Sequence, residues 1–144
     1  MTYDDYPVGY KGEFRKAVTA HDNVLFAEVS GDDNAIHFRD DVAQNAGFGG
    51  MISNGFVTES RIAAALVKTF GSDGMLVVAI EKNTRFLKPV YMDDDITATV
   101  EVIGRIPAMG ILRIRAACYN QRNEQVVATA MKIRLIPTIQ RGAT

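Results

Sequence analysis

The sequence has little cysteine, little proline and no long apolar run. Cys118 is its one cysteine, which excludes an internal disulfide and is typical of a reducing cytosol. The four prolines are scattered, and no stretch rich in Gly and Ser divides the chain. The N-terminal residues are acidic and include no apolar segment of the secretory type. We therefore expect one domain over residues 1–144, located in the cytoplasm.

Charge and hydropathy exclude two classes of partner. The longest unbroken apolar runs, residues 62–67 and 75–80, are too short to cross a bilayer, so no membrane association is predicted. Sixteen Lys and Arg balance seventeen Asp and Glu, for a net charge of −1. Because such a chain lacks the basic face that neutralises phosphates, we expect no nucleic-acid partner.

The second half of the chain has the two-residue periodicity of strands. Residues 96–102, 112–118 and 127–135 alternate between apolar and other side chains. Residues 75–80 are continuously apolar, which predicts a strand covered on both faces. Short turns between four consecutive strands indicate an antiparallel sheet, and residues 10–18 predict a further strand.

The first half is mostly helical. Residues 22–29 and 40–45 predict short helices, and residues 55–70 predict a longer one that stops at Gly71. The middle of the long helix, residues 62–67, has no polar side chain, so most of its circumference should be covered. An α+β fold with an antiparallel sheet wrapped around one apolar helix, the hot dog fold, satisfies both halves.

Residues 30–37, Ser-Gly-Asp-Asp-Asn-Ala-Ile-His, carry the first chemical feature. Asp32 and His37 lie five residues apart in a loop that can bring a carboxylate and an imidazole together. Such an acid/base pair suits the addition of water to a carbon–carbon double bond. The alternative is that Asp32 is a turn residue and His37 a surface residue.

A glycine-rich segment supplies the second feature. Gly47-Phe48-Gly49-Gly50 is followed by Ser53-Asn54-Gly55, which leads directly into the long predicted helix. Unpaired N–H groups there, aided by the helix dipole, would polarise a carbonyl oxygen. Alternatively, Ser53 or Asn54 only caps the helix and the glycines only shape a loop.

Together these segments resemble the MaoC-like family of (R)-specific enoyl-CoA hydratases. Residues 26–37 match the family's F-A-x-L-S-G-D-x-N-P-x-H signature at nearly every position. Residues 48–56 are similar to its F-x-x-x-I-x-H-G-M segment, and residues 85–90 to its R-F-x-x-P-V strand. The resemblance covers almost the whole chain.

The resemblance implies hydration of a trans-2-enoyl thioester to an (R)-3-hydroxyacyl thioester, and the reverse dehydration. Asp32, as base, and His37 match the catalytic pair that holds one water, while Asn34 matches the motif asparagine that shapes and orients the loop. Gly55 matches the glycine whose N–H binds the thioester carbonyl. The thiol carrier is coenzyme A or an acyl carrier protein, and no metal or redox cofactor is implied.

Further residues are expected at the substrate site, and some depart from the family pattern. Asn54 stands where the family usually has histidine, Ala35 where it has proline, and Asp93 where glycine is common. Asn54 is expected beside Gly55 at the substrate. Ser60 either joins the site or bonds back to its own helix.

The resemblance also implies an assembly, and one residue of the long helix suggests a different function. The family pairs two copies edge to edge, so we expect a homodimer or a higher homo-oligomer, with residues 75–80 at the paired edge. Glu59 on the long helix suggests a rival function, since some hot dog thioesterases place their catalytic carboxylate there. A second alternative is a non-catalytic, acyl-thioester-binding subunit of a heterodimeric dehydratase.

Overall fold

The structure, a computed structural model, describes residues 1–72 and 74–138. Its helices are α1 (Ala20–Ser30), α2 (Asp40–Asn45) and α3 (Gly55–Phe70). Its strands are β1 (Lys11–Ala17), β2 (Met75–Phe86), β3 (Asp95–Ile106), β4 (Ile111–Tyr119) and β5 (Gln125–Pro137). The predicted bounds of α2 and α3 are confirmed, whereas α1 is longer than residues 22–29.

Polar residues set the ends of the two longer helices. Thr19 and Asp22 form a capping box at the start of α1, and Gly31, with φ 82°, ends that helix in the left-handed conformation. The side chain of Asn54 accepts the N–H of Phe56 and so caps α3. The end of α1 leads into the segment that carries Asp32, and the start of α3 is Gly55.

The five strands form one antiparallel sheet in the order β1-β3-β4-β5-β2. Short turns join β3, β4 and β5, as predicted. The prediction of four strands joined consecutively is wrong for β2, which pairs with β5 at one edge while the chain crosses over to β3. Asp93 in this crossover has φ 67°, a region that favours glycine.

Helix α3 packs against the inner face of the sheet. Ile62, Ala65, Leu66 and Phe70 on the helix are buried with inward side chains from the strands. Cys118 lies in this core, where burial raises the pKa of its thiol to about 12. The sheet covers only one side of α3, so Phe56 and Val67 are exposed and the predicted burial of most of its circumference is wrong in the single chain.

Strand β2 differs most from its prediction. Leu76, Val78 and Ile80 are 52%, 43% and 48% exposed, so the strand is not covered on both faces. An edge strand has one neighbour, and its second side stays open. A β-bulge shifts the register between Ala79 and Glu81, and this shift decides which later side chains of β2 face α3.

The antiparallel sheet wrapped on α3 confirms the α+β hot dog fold. No helix in the described part of the chain has the length and apolar character needed to cross a membrane. Asn23 of α1 bonds to residues 37, 52 and 54, so the polar segment after α1 and the one before α3 lie side by side.

Candidate active site

A cavity of about 450 Å³ opens beside the N-terminus of α3. Its lining includes four of the six predicted site residues: Asp32, His37, Asn54 and Gly55. Two peptide segments that are about twenty residues apart in sequence therefore line the same space. The fold thus brings the predicted acid/base pair and the predicted carbonyl-binding glycine together.

Asp32 is held by the turn that follows α1. Its N–H donates to the Ser30 hydroxyl over 3.0 Å, and that hydroxyl donates to the Phe26 carbonyl over 2.6 Å. Oδ2 of Asp32 accepts the Asn54 side-chain amide over 2.8 Å, and Oδ1 accepts the Asn34 N–H over 3.3 Å. These bonds, that of Asn54 foremost, hold the pKa of Asp32 below its ordinary value. The side chain is therefore a carboxylate at neutral pH.

His37 ends a 3₁₀ segment, Ala35–His37, and its ring is anchored at one nitrogen. Nδ1 lies 2.9 Å from the carbonyl oxygen of Ile52. Because a carbonyl oxygen only accepts, Nδ1 carries the hydrogen. In the neutral ring Nε2 is then the nitrogen with the free lone pair.

Gly55 begins α3 and keeps its N–H free among the described residues, as expected of the first residue in a helix. A Cβ at this position would lie 2.7 Å from Cε1 of Phe86. The absent side chain therefore lets the Phe86 ring lie directly on the backbone beside this N–H. A donor at the positive end of the α3 dipole suits a carbonyl oxygen that gains negative charge.

Two predicted site residues lie outside this cavity. Asn34 is exposed, and its side chain accepts the N–H of Ile36 over 3.4 Å, so it caps the 3₁₀ segment. Ser60 is not among the lining residues. Its hydroxyl donates to the Val57 carbonyl over 2.5 Å and faces a different depression near Arg61. The structure thus favours the back-bonding alternative for Ser60.

The remaining walls of the cavity are mostly apolar. Phe56 and Phe86 meet edge to face with ring centroids 6.1 Å apart, and Phe26, outside the cavity, stacks on Phe56 at 5.8 Å. Other apolar side chains on the wall come from Phe48, Ile52, Leu87, Val90, Val126 and Val127. Such a wall suits a hydrocarbon chain beside a small number of polar groups.

Glu59, the residue of the rival function, is buried and paired elsewhere. Its Oε1 accepts the Thr84 hydroxyl over 2.7 Å and forms an ion pair with Lys82. Glu59 does not line the cavity that contains Asp32 and His37. The geometry therefore gives this carboxylate a packing role in the interior.

Two residues at the site escape sequence reasoning. Phe86 faces the cavity only because the bulge in β2 reverses the alternation, and the sequence carries no signal for that bulge. Asn23 is 2% exposed and bonds to backbone groups of the site. Its signal was available, since a lone amide precedes the apolar run Val24-Leu25-Phe26 inside a predicted helix.

No group of three His, Cys, Asp or Glu within residues 1–72 and 74–138 is placed to hold a metal ion. The implied absence of a metal and of a redox cofactor stays a prediction. The chemistry available to the described residues is that of a carboxylate, an imidazole and a free backbone N–H around one cavity.

Known proteins match this chain over most of its length. A family model described as the MaoC like domain matches residues 8–123. The (R)-specific enoyl-CoA hydratase of Rhodospirillum rubrum is 30% identical over 116 residues, 81% of this chain and 79% of that protein. The 3-hydroxybutyryl-CoA dehydratase of Methylorubrum extorquens is 31% identical over 137 residues, 95% of this chain and 85% of that protein.

A solved structure agrees with these matches. The R-hydratase PhaJ1 from Pseudomonas aeruginosa, in its unliganded form, superposes with a TM-score of 0.82 at 26% sequence identity. The match covers 99% of this chain and 93% of that one. The similarity therefore extends over the helices, the sheet and the segments between them that line the cavity.

Proposed function

The chain belongs to the MaoC-like hydratase and dehydratase family, and from this premise we propose that it is an (R)-specific enoyl-CoA hydratase. It adds water to a trans-2-enoyl thioester, or removes water from the (R)-3-hydroxyacyl thioester. One observation carries the proposal: Asp32, His37 and Gly55 line the same cavity. We propose the (R) configuration by analogy with the (R)-specific enoyl-CoA hydratase of Rhodospirillum rubrum.

In the proposed mechanism one water lies between Asp32 and His37. The Asp32 carboxylate accepts one hydrogen of this water, and Nε2 of His37 accepts the other. With both hydrogens engaged, a lone pair of the oxygen points at carbon 3 of the substrate. Asp32, the base, takes its proton as the new carbon–oxygen bond forms.

Electron density then moves from the carbon–carbon double bond toward the thioester oxygen. The free N–H of Gly55 stabilises the negative charge that develops there. When the enolate collapses, carbon 2 takes up the proton that Asp32 removed from the water. Since water and proton come from the same side, the addition is syn, and dehydration follows the same steps in reverse.

The first test is crotonyl-CoA hydration by the purified protein, followed as loss of the conjugated enoyl-thioester absorbance. Free thiol is measured in parallel. We expect loss of absorbance without thiol release, and at least a roughly hundredfold slower reaction for Asp32→Asn, as for removal of a general base. Asp33→Asn, which alters an exposed neighbouring carboxylate, is the matched control.

The outcomes separate the alternatives. Release of free thiol would contradict hydration and favour a thioesterase. Binding of acyl-CoA without turnover, with activity restored only by a second protein, would favour a non-catalytic subunit. Comparing crotonyl-CoA with the corresponding acyl carrier protein thioester identifies the thiol carrier.

We further propose that two copies of the chain pair through β2. This edge strand exposes Leu76, Val78 and Ile80 in the single chain. Exposed apolar side chains and unpaired backbone groups on an edge strand favour association with a second strand. A second β2 strand would satisfy those backbone groups and cover those side chains. The proposed assembly is a homodimer with one cavity in each copy.

A further inference from the structure

We propose that Asn23, on α1, is a positioning residue that aligns His37 with the N-terminus of α3. The predicted effect on kcat rests on the proposed hydratase function. The predicted effect on the tautomer of His37 does not depend on activity. The starting observation is that an asparagine, which is a poor helix former, is 2% exposed within α1. A buried amide is costly unless its hydrogen bonds are satisfied.

The oxygen and nitrogen partners of the Asn23 side chain all lie on the segments that build the site, and Nδ2 also lies 3.9 Å from Sδ of Met92. Its Nδ2 donates to the carbonyl of His37 over 3.1 Å and to the carbonyl of Ile52 over 3.2 Å. Its Oδ1 accepts the N–H of Asn54 over 3.0 Å. One amide thus connects the histidine segment with the residue that precedes Gly55.

The Ile52 carbonyl makes this connection specific. It accepts Nδ2 of Asn23 and also Nδ1 of His37. Asn23 therefore fixes the direction of the acceptor that sets the ring orientation and the tautomer of His37. The same side chain fixes the backbone from which the free N–H of Gly55 projects. The relative position of water and thioester carbonyl depends on both.

The first turn of α1, where Asn23 lies, is fixed by other contacts. The capping box of Thr19 and Asp22 fixes the first turn of the helix. Asp22 also pairs with the buried Arg61 of α3 over 2.9 Å. Because His37 and Ile52 lie on segments that have their own backbone hydrogen bond, between the Ile52 N–H and the Ile36 carbonyl, loss of the amide should leave the fold intact.

Two variants separate the donor and acceptor roles of the Asn23 amide. Asn23→Leu has a similar volume and removes the three hydrogen bonds to residues 37, 52 and 54. Asn23→Asp keeps an acceptor for the Asn54 N–H but cannot donate to the two carbonyls. Asn45→Asp is the control, since Asn45 is exposed at the end of α2.

The first readout is the ring tautomer of His37, from nitrogen NMR of histidine-labelled protein at a pH where the ring is neutral. The chain has two histidines, and His37→Gln assigns the signals. We expect wild type and Asn45→Asp to carry the hydrogen on Nδ1, and both Asn23 variants to show a mixture of tautomers. The Gly55 amide signal should move more in Asn23→Leu than in Asn23→Asp.

The second readout is crotonyl-CoA hydration. We expect kcat to fall about tenfold to a hundredfold in both Asn23 variants with KM nearly unchanged, because misplaced reacting groups cost rate on that scale. A wild-type His37 with its hydrogen on Nε2, or folded Asn23 variants with unchanged tautomer and kcat, would overturn the proposal. If wild type has no hydratase activity, the proposed function fails while the tautomer result still decides the role of Asn23.

Discussion

The side-chain amide of Asn54 donates to Asp32 over 2.8 Å, so a hydrogen bond joins the N-cap of α3 to the loop that follows α1. Asn54 also accepts the Phe56 N–H through its other side-chain atom and thereby caps α3. The position where the family usually has histidine is therefore occupied by a residue with two distinct tasks. The bond to Asp32 can be removed while a capping oxygen is kept.

Replacing Asn54 should change the pH dependence of the reaction. The Asn54 bond is the main cause that lowers the pKa of Asp32, and Asp32 must be ionised to act as the proposed base. In Asn54→Ala and Asn54→Ser that pKa should rise, so the acidic limb of the kcat/KM profile moves to higher pH. The lowered pKa also stabilises the folded state at neutral pH, and this contribution is lost as the pH falls through the folded value.

The two Asn54 variants control for each other. Serine retains an N-cap oxygen for α3, whereas alanine does not, so thermal unfolding should show a loss that is about 1 kcal/mol larger in Asn54→Ala than in Asn54→Ser. A profile that moves in the alanine variant but not in the serine variant would mean that capping, rather than the bond to Asp32, controls the titration.

Gly55→Ala tests the close approach of Phe86. The added Cβ would lie 2.7 Å from Cε1 of the ring, so the ring must shift beside the N–H that we propose to bind the thioester oxygen. We expect kcat for crotonyl-CoA hydration to fall about tenfold or more while the melting temperature stays close to that of wild type, because alanine favours a helix.

Phe86→Leu should relieve this contact. We expect Gly55→Ala to lower kcat less when it is made in the Phe86→Leu variant than when it is made in wild type. Equal losses with and without Phe86 would show that the added methyl group blocks the substrate directly.

Glu59→Gln separates stability from catalysis. The variant loses the ion pair to Lys82 but keeps an oxygen for the Thr84 hydroxyl, and Lys82 is 43% exposed and can reach solvent. We expect the free energy of unfolding in urea to fall by about 1 to 2 kcal/mol, with hydration rates nearly unchanged. Thiol release that is present in wild type and absent in Glu59→Gln would instead assign this carboxylate to thioester hydrolysis.

The sequence predicts those features of the site that depend on local patterns. Asp32 and His37 stand in a compact signature, and the apolar run after Gly55 marks α3 and its start. Sequence reasoning could not place Phe86, because the extra residue Ile80 in β2 changes which side chains face α3. Nor could it reveal that Asn23 bonds to backbone groups of residues 37, 52 and 54, because such contacts depend on how segments distant in sequence pack together.

The edge strand provides the last prediction. If two copies pair through β2, wild type should sediment at twice the 15.8 kDa chain mass. Val78→Lys places a charge on the exposed apolar edge and should yield monomers, because lysine on an edge strand opposes pairing. Glu13→Lys makes a matched change on β1, at the opposite edge of the sheet, and should remain dimeric. A dimer that survives Val78→Lys but dissociates in Glu13→Lys would place the paired edge at β1. A monomeric wild type would leave Leu76, Val78 and Ile80 exposed in solution and would contradict pairing altogether.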